Sequence, residues 1–167
     1  MKNIVYLFTA LFFTLAGFAQ SAVVNDYKYV IVPQKFEFLN EPNQYNINSL
    51  TKSAFEKYGF TVFYANDKFP DELALDRCKA LYADVKSNSG MLSTKLQVIL
   101  NDCYGKEVYA STEGKSRKKD FKQAYYEALR DAFHSLDAIN YKYSGGPAAA
   151  GVAAAASQTA ERDESSV

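Results

Sequence analysis

Apolar and polar positions along the chain alternate between two periods, and the switches between them outline the fold. "YKYVIVP", Tyr27 to Pro33, is a β-branched and aromatic run ended by proline, which predicts a first strand. In "NINSLTKSAFEKYG", Ile47, Leu50, Ala54, Phe55 and Tyr58 share one helical face. Asn46 or Asn48 is placed to cap that helix, and Gly59 to close it. "FTVFYA" follows as a short, nearly continuous apolar strand, a composition that predicts burial on both faces. Strand, helix and strand make a βαβ unit with parallel strands and a right-handed crossover.

The second half of the pattern is different. "FPDELALDRC" predicts a short helix with Pro70 near its start and Asp71 and Glu72 in its first turn. Three strands then come in sequence, "CKALYADVK", "TKLQVILND" and "KEVYAST". The loop "SNSGMLS" joins the first two, and a tight turn at Cys103-Tyr104-Gly105 joins the last two. In "SRKKDFKQAYYEALRDAFHSL", apolar residues from Phe121 to Leu136 repeat at three-and-four spacing, the clearest helix in the chain. The expected architecture is therefore α+β: a mixed sheet of about five strands, a βαβ unit plus an antiparallel meander, with the long C-terminal amphipathic helix packed on it.

The two ends break the pattern. "MKNIVYLFTALFFTLAGFAQSA" has a positive n-region at Lys2, an apolar run from Ile4 to Leu15 and a small-x-small site at Gly17-Phe18-Ala19. Residues 1–19 read as a secretory signal peptide cleaved after Ala19, with Ala22 as the alternative, so the mature chain is expected to carry no membrane span. Residues 26–143 form the expected globular domain. Residues 144–167 carry almost no large apolar side chain and read as an Ala/Gly-rich disordered tail. The expected location is periplasmic or secreted.

Charge narrows the function classes. Lys+Arg and Asp+Glu both number 19 in the 167 residues, so no overall charge points to nucleic acid. An electrostatic partner would have to be met locally. "EGKSRKKD" offers such a place: Lys115, Arg117, Lys118 and Lys119 crowd the start of the last helix, with Ser116 as its N-cap. The helix dipole disfavours cations there, and helix-terminal N–H groups with four cations make a candidate site for an anionic envelope component or an acidic envelope protein. The alternative is a solvated lysine-rich loop.

Two cysteines, Cys78 and Cys103, sit in a chain bound for an oxidising compartment. A β-hairpin register pairing Leu81 with Leu100, Ala83 with Val98 and Val85 with Leu96 puts every core-type residue on one face. Carried on, it sets Cys78 across from Cys103 at about 4.5 Å between Cα atoms, within disulfide reach. Two free structural thiols, or a Cys–His pair with the lone His134, are the alternatives. Two cysteines and one histidine cannot close a zinc site, and no phosphate loop or hydrolase motif is present, so no metal or cofactor is expected. Asp84 and Asp102 with neighbouring tyrosines are the candidate carboxylates for a small envelope hydrolase. Their other reading is as caps and solvated strand positions.

The stretch "LQVILNDCYGKEVYASTEGKS…FKQAYYEALRDAF" contains a strand ending in Asp, then x-x-G-K/E, a second strand and an Ala-rich amphipathic helix. It resembles periplasmic domains of the curli-secretion lipoprotein and of penicillin-binding-protein activators, and a group of small secreted bacterial α+β proteins of uncharacterised activity. The likeness covers roughly the last third of the folded region. It departs from those lipoproteins in having no lipidation cysteine at the cleavage site. No catalytic residues come with the resemblance, which implies a non-enzymatic binding or envelope-assembly domain. The hydrolase and a purely structural secreted domain are the alternatives.

Overall fold

The computed structural model describes residues 23–146; the signal-peptide and tail assignments fall outside them. The strands are β1 (Tyr29–Val32), β2 (Thr61–Tyr64), β3 (Ala80–Ser87), β4 (Thr94–Asn101), β5 (Glu107–Ala110) and β6 (Gly114–Ser116). The helices are α1 (Ile47–Lys57), α2 (Asp71–Leu75) and α3 (Phe121–Phe133), with 3-10 turns at Gln44–Asn46, Arg77–Lys79 and His134–Ile139. The fold is α+β. One mixed sheet runs β2-β1-β3-β4-β5, with β6 also paired to β4, and the C-terminal helix packs on it.

β1 lies parallel to both β2 and β3. All four of its residues are buried, Val30 and Val32 under the helices, Tyr29 and Ile31 on the opposite face with Leu73 of α2. The strand buried on both faces is thus β1. β2, expected in that role, is an edge strand: Thr61 is exposed, Phe63 and Tyr64 are half-buried, and only Val62 is fully within the main core, with Tyr64 packed at its margin. Its apolar residues serve two separate contacts, Val62 with the core and Phe63 edge-on to Phe69. The Lys52 ammonium donates to the Val62 carbonyl, occupying an acceptor near that edge.

α1 starts differently from the sequence reading. Asn46 occupies the cap position without a side-chain cap bond, and Asn48 is fully buried with its amide donating to the Pro33 carbonyl at 2.7 Å. Asn43 does the capping, accepting the Ser49 N–H at 3.0 Å and donating to the Ser49 hydroxyl at 2.8 Å. Two residues with left-handed backbone, Tyr45 and Asn46, fold the chain back so that a residue so far upstream reaches the helix. Gly59, at φ +97°, closes α1 as expected.

The β3–β4 hairpin is antiparallel, with Ala83 opposite Leu100, Val85 opposite Val98 and Ser87 opposite Leu96. This is two residues away from the expected register. The cause is the turn: a Gly90–Ser93 bridge closes on Met91 and Leu92, placing the bend one residue later than assumed. A shift of two keeps every side chain on its face, so the burial pattern is unchanged.

The third meander strand is interrupted. β5 and β6 both pair with the same side of β4, and Ser111 sits in the break. The Ser111 N–H donates to the Val98 carbonyl, and the Ser111 hydroxyl oxygen accepts the Val98 N–H, both at 2.8 Å. The side chain stands in for a backbone acceptor where the register slips by one. β6 was not legible as a strand, since Gly114-Lys115-Ser116 has no β-former. It holds Ser116 in the sheet, so Ser116 is not the cap of α3. Asp120 is, its carboxylate accepting the Gln123 N–H at 2.9 Å.

Candidate functional site: a basic margin beside the groove between α1 and α3

α3 presents two stripes. Ala124, Ala128, Leu129, Ala132 and Phe133 face the sheet and α1. Phe121, placed on that stripe by its spacing, is 65% exposed, since the helix begins there and the core ends one turn later. Lys122, Tyr126 and Arg130 recur every fourth residue on another face and line the groove against α1. Its N-terminal part has a volume of about 660 Å³, with Tyr45, Asn46 and Leu50 across from Lys118 and Arg130. A second part, about 460 Å³, shares Leu50, Tyr126 and Arg130 and extends to Tyr58 and His134. Tyr45 stacks on Tyr125 with centroids 5.4 Å apart, and Tyr125 meets Phe38 at 5.6 Å, bracing this wall. Burial, and then the proximity of Tyr45, raises the pKa of the Tyr125 hydroxyl.

At the far end, the Tyr58 hydroxyl hydrogen bonds to both the Phe133 carbonyl and the Asp137 carboxylate, each at 2.8 Å. Burial first, then the bond to Asp137, pushes Tyr58 up to about 12. The Tyr58 hydroxyl, followed by His134, holds Asp137 below the usual carboxylate range.

The charged residues around α3's start are arranged unevenly. Three carboxylates are tied to neutral donors of the fold, Asp120 to the Gln123 N–H, Glu127 to the Ser116 hydroxyl and Asp131 to the Lys115 N–H, while Glu113 is shared between the Asn88 amide and Lys95. Among the described residues the ion pairs are Lys28–Glu72, Lys52–Glu56, Lys95–Glu113 and His134–Asp137. None includes Lys115, Arg117, Lys118, Lys119, Lys122 or Arg130. The four cations singled out in the sequence are all exposed. They lie on β6 and the connection to α3 and not in α3's first turn. Ser116 is buried, donating to Glu127 and accepting the Lys118 N–H at 3.2 Å. Its part is to position Glu127. Lys122, Tyr126 and Arg130 were missed because only the apolar stripe of α3 was read; their four-residue spacing was the available signal.

Cys78 and Cys103 are joined, with Cα atoms 4.9 Å apart. They do not face each other across paired strands. Cys78 lies in the Arg77–Lys79 turn, its N–H held by Asp76, and Cys103 in the turn after β4. A 3-10 turn advances roughly 2 Å per residue against roughly 3.3 Å in a strand, which shortens the path and offsets the two-residue shift in register. His134 is exposed with its Nδ1 3.5 Å from the Asp137 carboxylate, and each sulfur is already bonded to the other.

The carboxylates Asp84 and Asp102 are not brought into one cavity. Asp84 accepts the Val85 N–H and lines a shallow depression of about 260 Å³ with Glu37 and Lys86, which Asp102 does not line. Asp102 accepts the Tyr104 and Lys106 N–H groups and builds the turn around Cys103. Among the described residues, no helix is long and apolar enough to cross a membrane.

No protein-family model and no curated protein matches this chain. Among solved structures, the PelC dodecamer from Paraburkholderia phytofirmans is similar at 15% identity and a TM-score of 0.43, over 70% of this chain and 91% of that one. A point variant of the same dodecamer, in a second crystal form, is similar at 14% identity and a TM-score of 0.44, over the same shares. Likeness at this level carries no inference about function, partner or assembly.

Proposed function

We propose that this chain is a non-enzymatic binding module of the bacterial envelope, exported to the periplasm or beyond. Its contact surface is the basic margin of Lys115, Arg117, Lys118 and Lys119, continued into the groove by Lys122 and Arg130. One observation carries the reading. The fold's own hydrogen bonds occupy the neighbouring carboxylates and leave these cations without an ion-pair partner. Unpaired exposed cations bind anionic groups without first breaking an internal pair. The partner is an anionic envelope component or an acidic protein surface. The signal-peptide pattern at the N-terminus supports export.

The test is in-cell crosslinking and recovery of the exported chain beside a variant with Lys115→Glu, Arg117→Glu, Lys118→Glu and Lys119→Glu. A partner recovered with the parent and lost with the variant is the expected result. Recovery of the same material with both overturns the assignment of this margin as the contact surface, and recovery of none with either overturns a protein as its partner.

A further inference from the structure

The β3–β4 hairpin tip breaks the rule for its position. The two central residues of a tight hairpin turn are usually Gly, Asn or Asp. Here they are Met91 and Leu92, with relative exposures of 104% and 90%. Scattered single exposed apolar residues need no explanation, but two adjacent ones at full exposure on a tip contribute nothing to the core. The hairpin beneath them is well tied. The Gly90 N–H donates to the Ser93 carbonyl at 3.0 Å, the Asn88 N–H to the Lys95 carbonyl at 3.1 Å, and the Asn88 amide to Glu113 at 2.8 Å.

The sheet register brings this tip beside the basic margin. β6 pairs Lys115 with Lys95 and Ser116 with Thr94. The pairing ends at Ser116 and Thr94, two residues from Leu92 in the chain, and Arg117, Lys118 and Lys119 leave the sheet from that end. Phe121, also exposed, comes two residues after Lys119. The feature is an apolar point with cations at its side.

We propose that this point docks on an anionic lipid surface. Met91 and Leu92 enter the boundary between headgroups and acyl chains while Lys115, Arg117, Lys118 and Lys119 hold the headgroup phosphates. This rests on the reading of the basic margin as a contact surface and names its partner class. Two side chains are far short of the roughly 800 Å² per partner that a stable protein interface covers. A bilayer accepts them without a matching pocket, and its anionic headgroups complement a basic run without fixed geometry.

The experiment is co-sedimentation of the whole exported chain with vesicles of phosphatidylglycerol in phosphatidylcholine, against phosphatidylcholine alone. Three proteins are compared: the parent, Met91→Ser with Leu92→Ser, and the four-glutamate variant. Parent binding to the anionic vesicles only is expected. The tip variant, whose changes touch no packed atom, should lose about tenfold or more in partitioning, and the charge variant should stay in the supernatant. If the tip variant sediments like the parent, the tip's role is overturned while the basic margin stands. If the parent stays in the supernatant, the lipid proposal is overturned, and the crosslinking experiment decides separately whether the margin meets a protein.

Discussion

Gly114 lies so close to Ala128 that a β-carbon built on the glycine would stand 1.9 Å from the Ala128 carbonyl oxygen; it would also stand 2.3 Å from the Ala132 nitrogen. α3 therefore rests directly on β6, backbone against backbone, and this contact sets where the basic margin leaves the sheet. Gly114→Ala should force α3 away and cost about 3 kcal/mol, the range of severe overpacking. Gly90→Ala, where nothing lies within 4 Å of the added carbon, should be nearly neutral. Urea unfolding of the two variants checks both, and equal stabilities would contradict the close approach.

Loss of the Cys78–Cys103 link should cost roughly 3 kcal/mol for a sequence separation of 25. Urea midpoints of Cys78→Ser with Cys103→Ser, and of the parent with and without reductant, measure it. The reduced parent and the double variant should coincide.

The bonds between Tyr58, Phe133 and Asp137 give a pH dependence at both ends. Tyr58 is pushed up to about 12, mainly by burial, so the native state favours its protonated form. That stabilisation is complete below the ordinary tyrosine value of about 10 and is lost as pH rises from there towards about 12. Tyr141, also pushed up to about 12 by burial, adds to the same loss. Asp137 is lowered, first by the Tyr58 hydroxyl, so its contribution is present above the ordinary carboxylate value and is lost as pH falls through the lowered one. Tyr58→Phe should cost about 1 kcal/mol near neutrality and flatten the stability profile at both extremes. Thermal melts across pH would expose a variant whose profile is merely shifted down in parallel, which would refute the linkage.

Ser111→Ala should cost about 1–3 kcal/mol, because it leaves the buried Val98 N–H without its acceptor. Hydrogen exchange at Val98 should quicken selectively. Unchanged exchange there would mean that another acceptor replaces the hydroxyl.

The sheet's composition was legible because burial imposes a strict period of two, and that period survives a register slip of two residues. Hence Ala83, Val85, Val98 and Leu100 were placed on the right face while their partners were misassigned. The slip came from Met91 and Leu92, an apolar pair in a turn, where sequence rules expect polar residues. β6 escaped notice because packing against α3 requires the glycine that strand propensity counts against. The basic run was visible as a charge cluster. Its relation to the hairpin tip was not, since it depends on β6 pairing with β4, and neither was the stripe from Lys122 to Arg130, which belongs to a helix face read only for its core side.

β1 sits between two parallel neighbours, so neither contact is available through a tight turn, and both wait on long crossovers. The β3–β4–β5 meander closes locally, and the loop between the two cysteines spans only β3 and β4. Oxidation therefore does not depend on β1 being in place: the second half of the chain is able to assemble and be locked first, with the N-terminal strand sliding into the sheet last. Pulse-labelled hydrogen exchange should find β3 and β4 protected before β1.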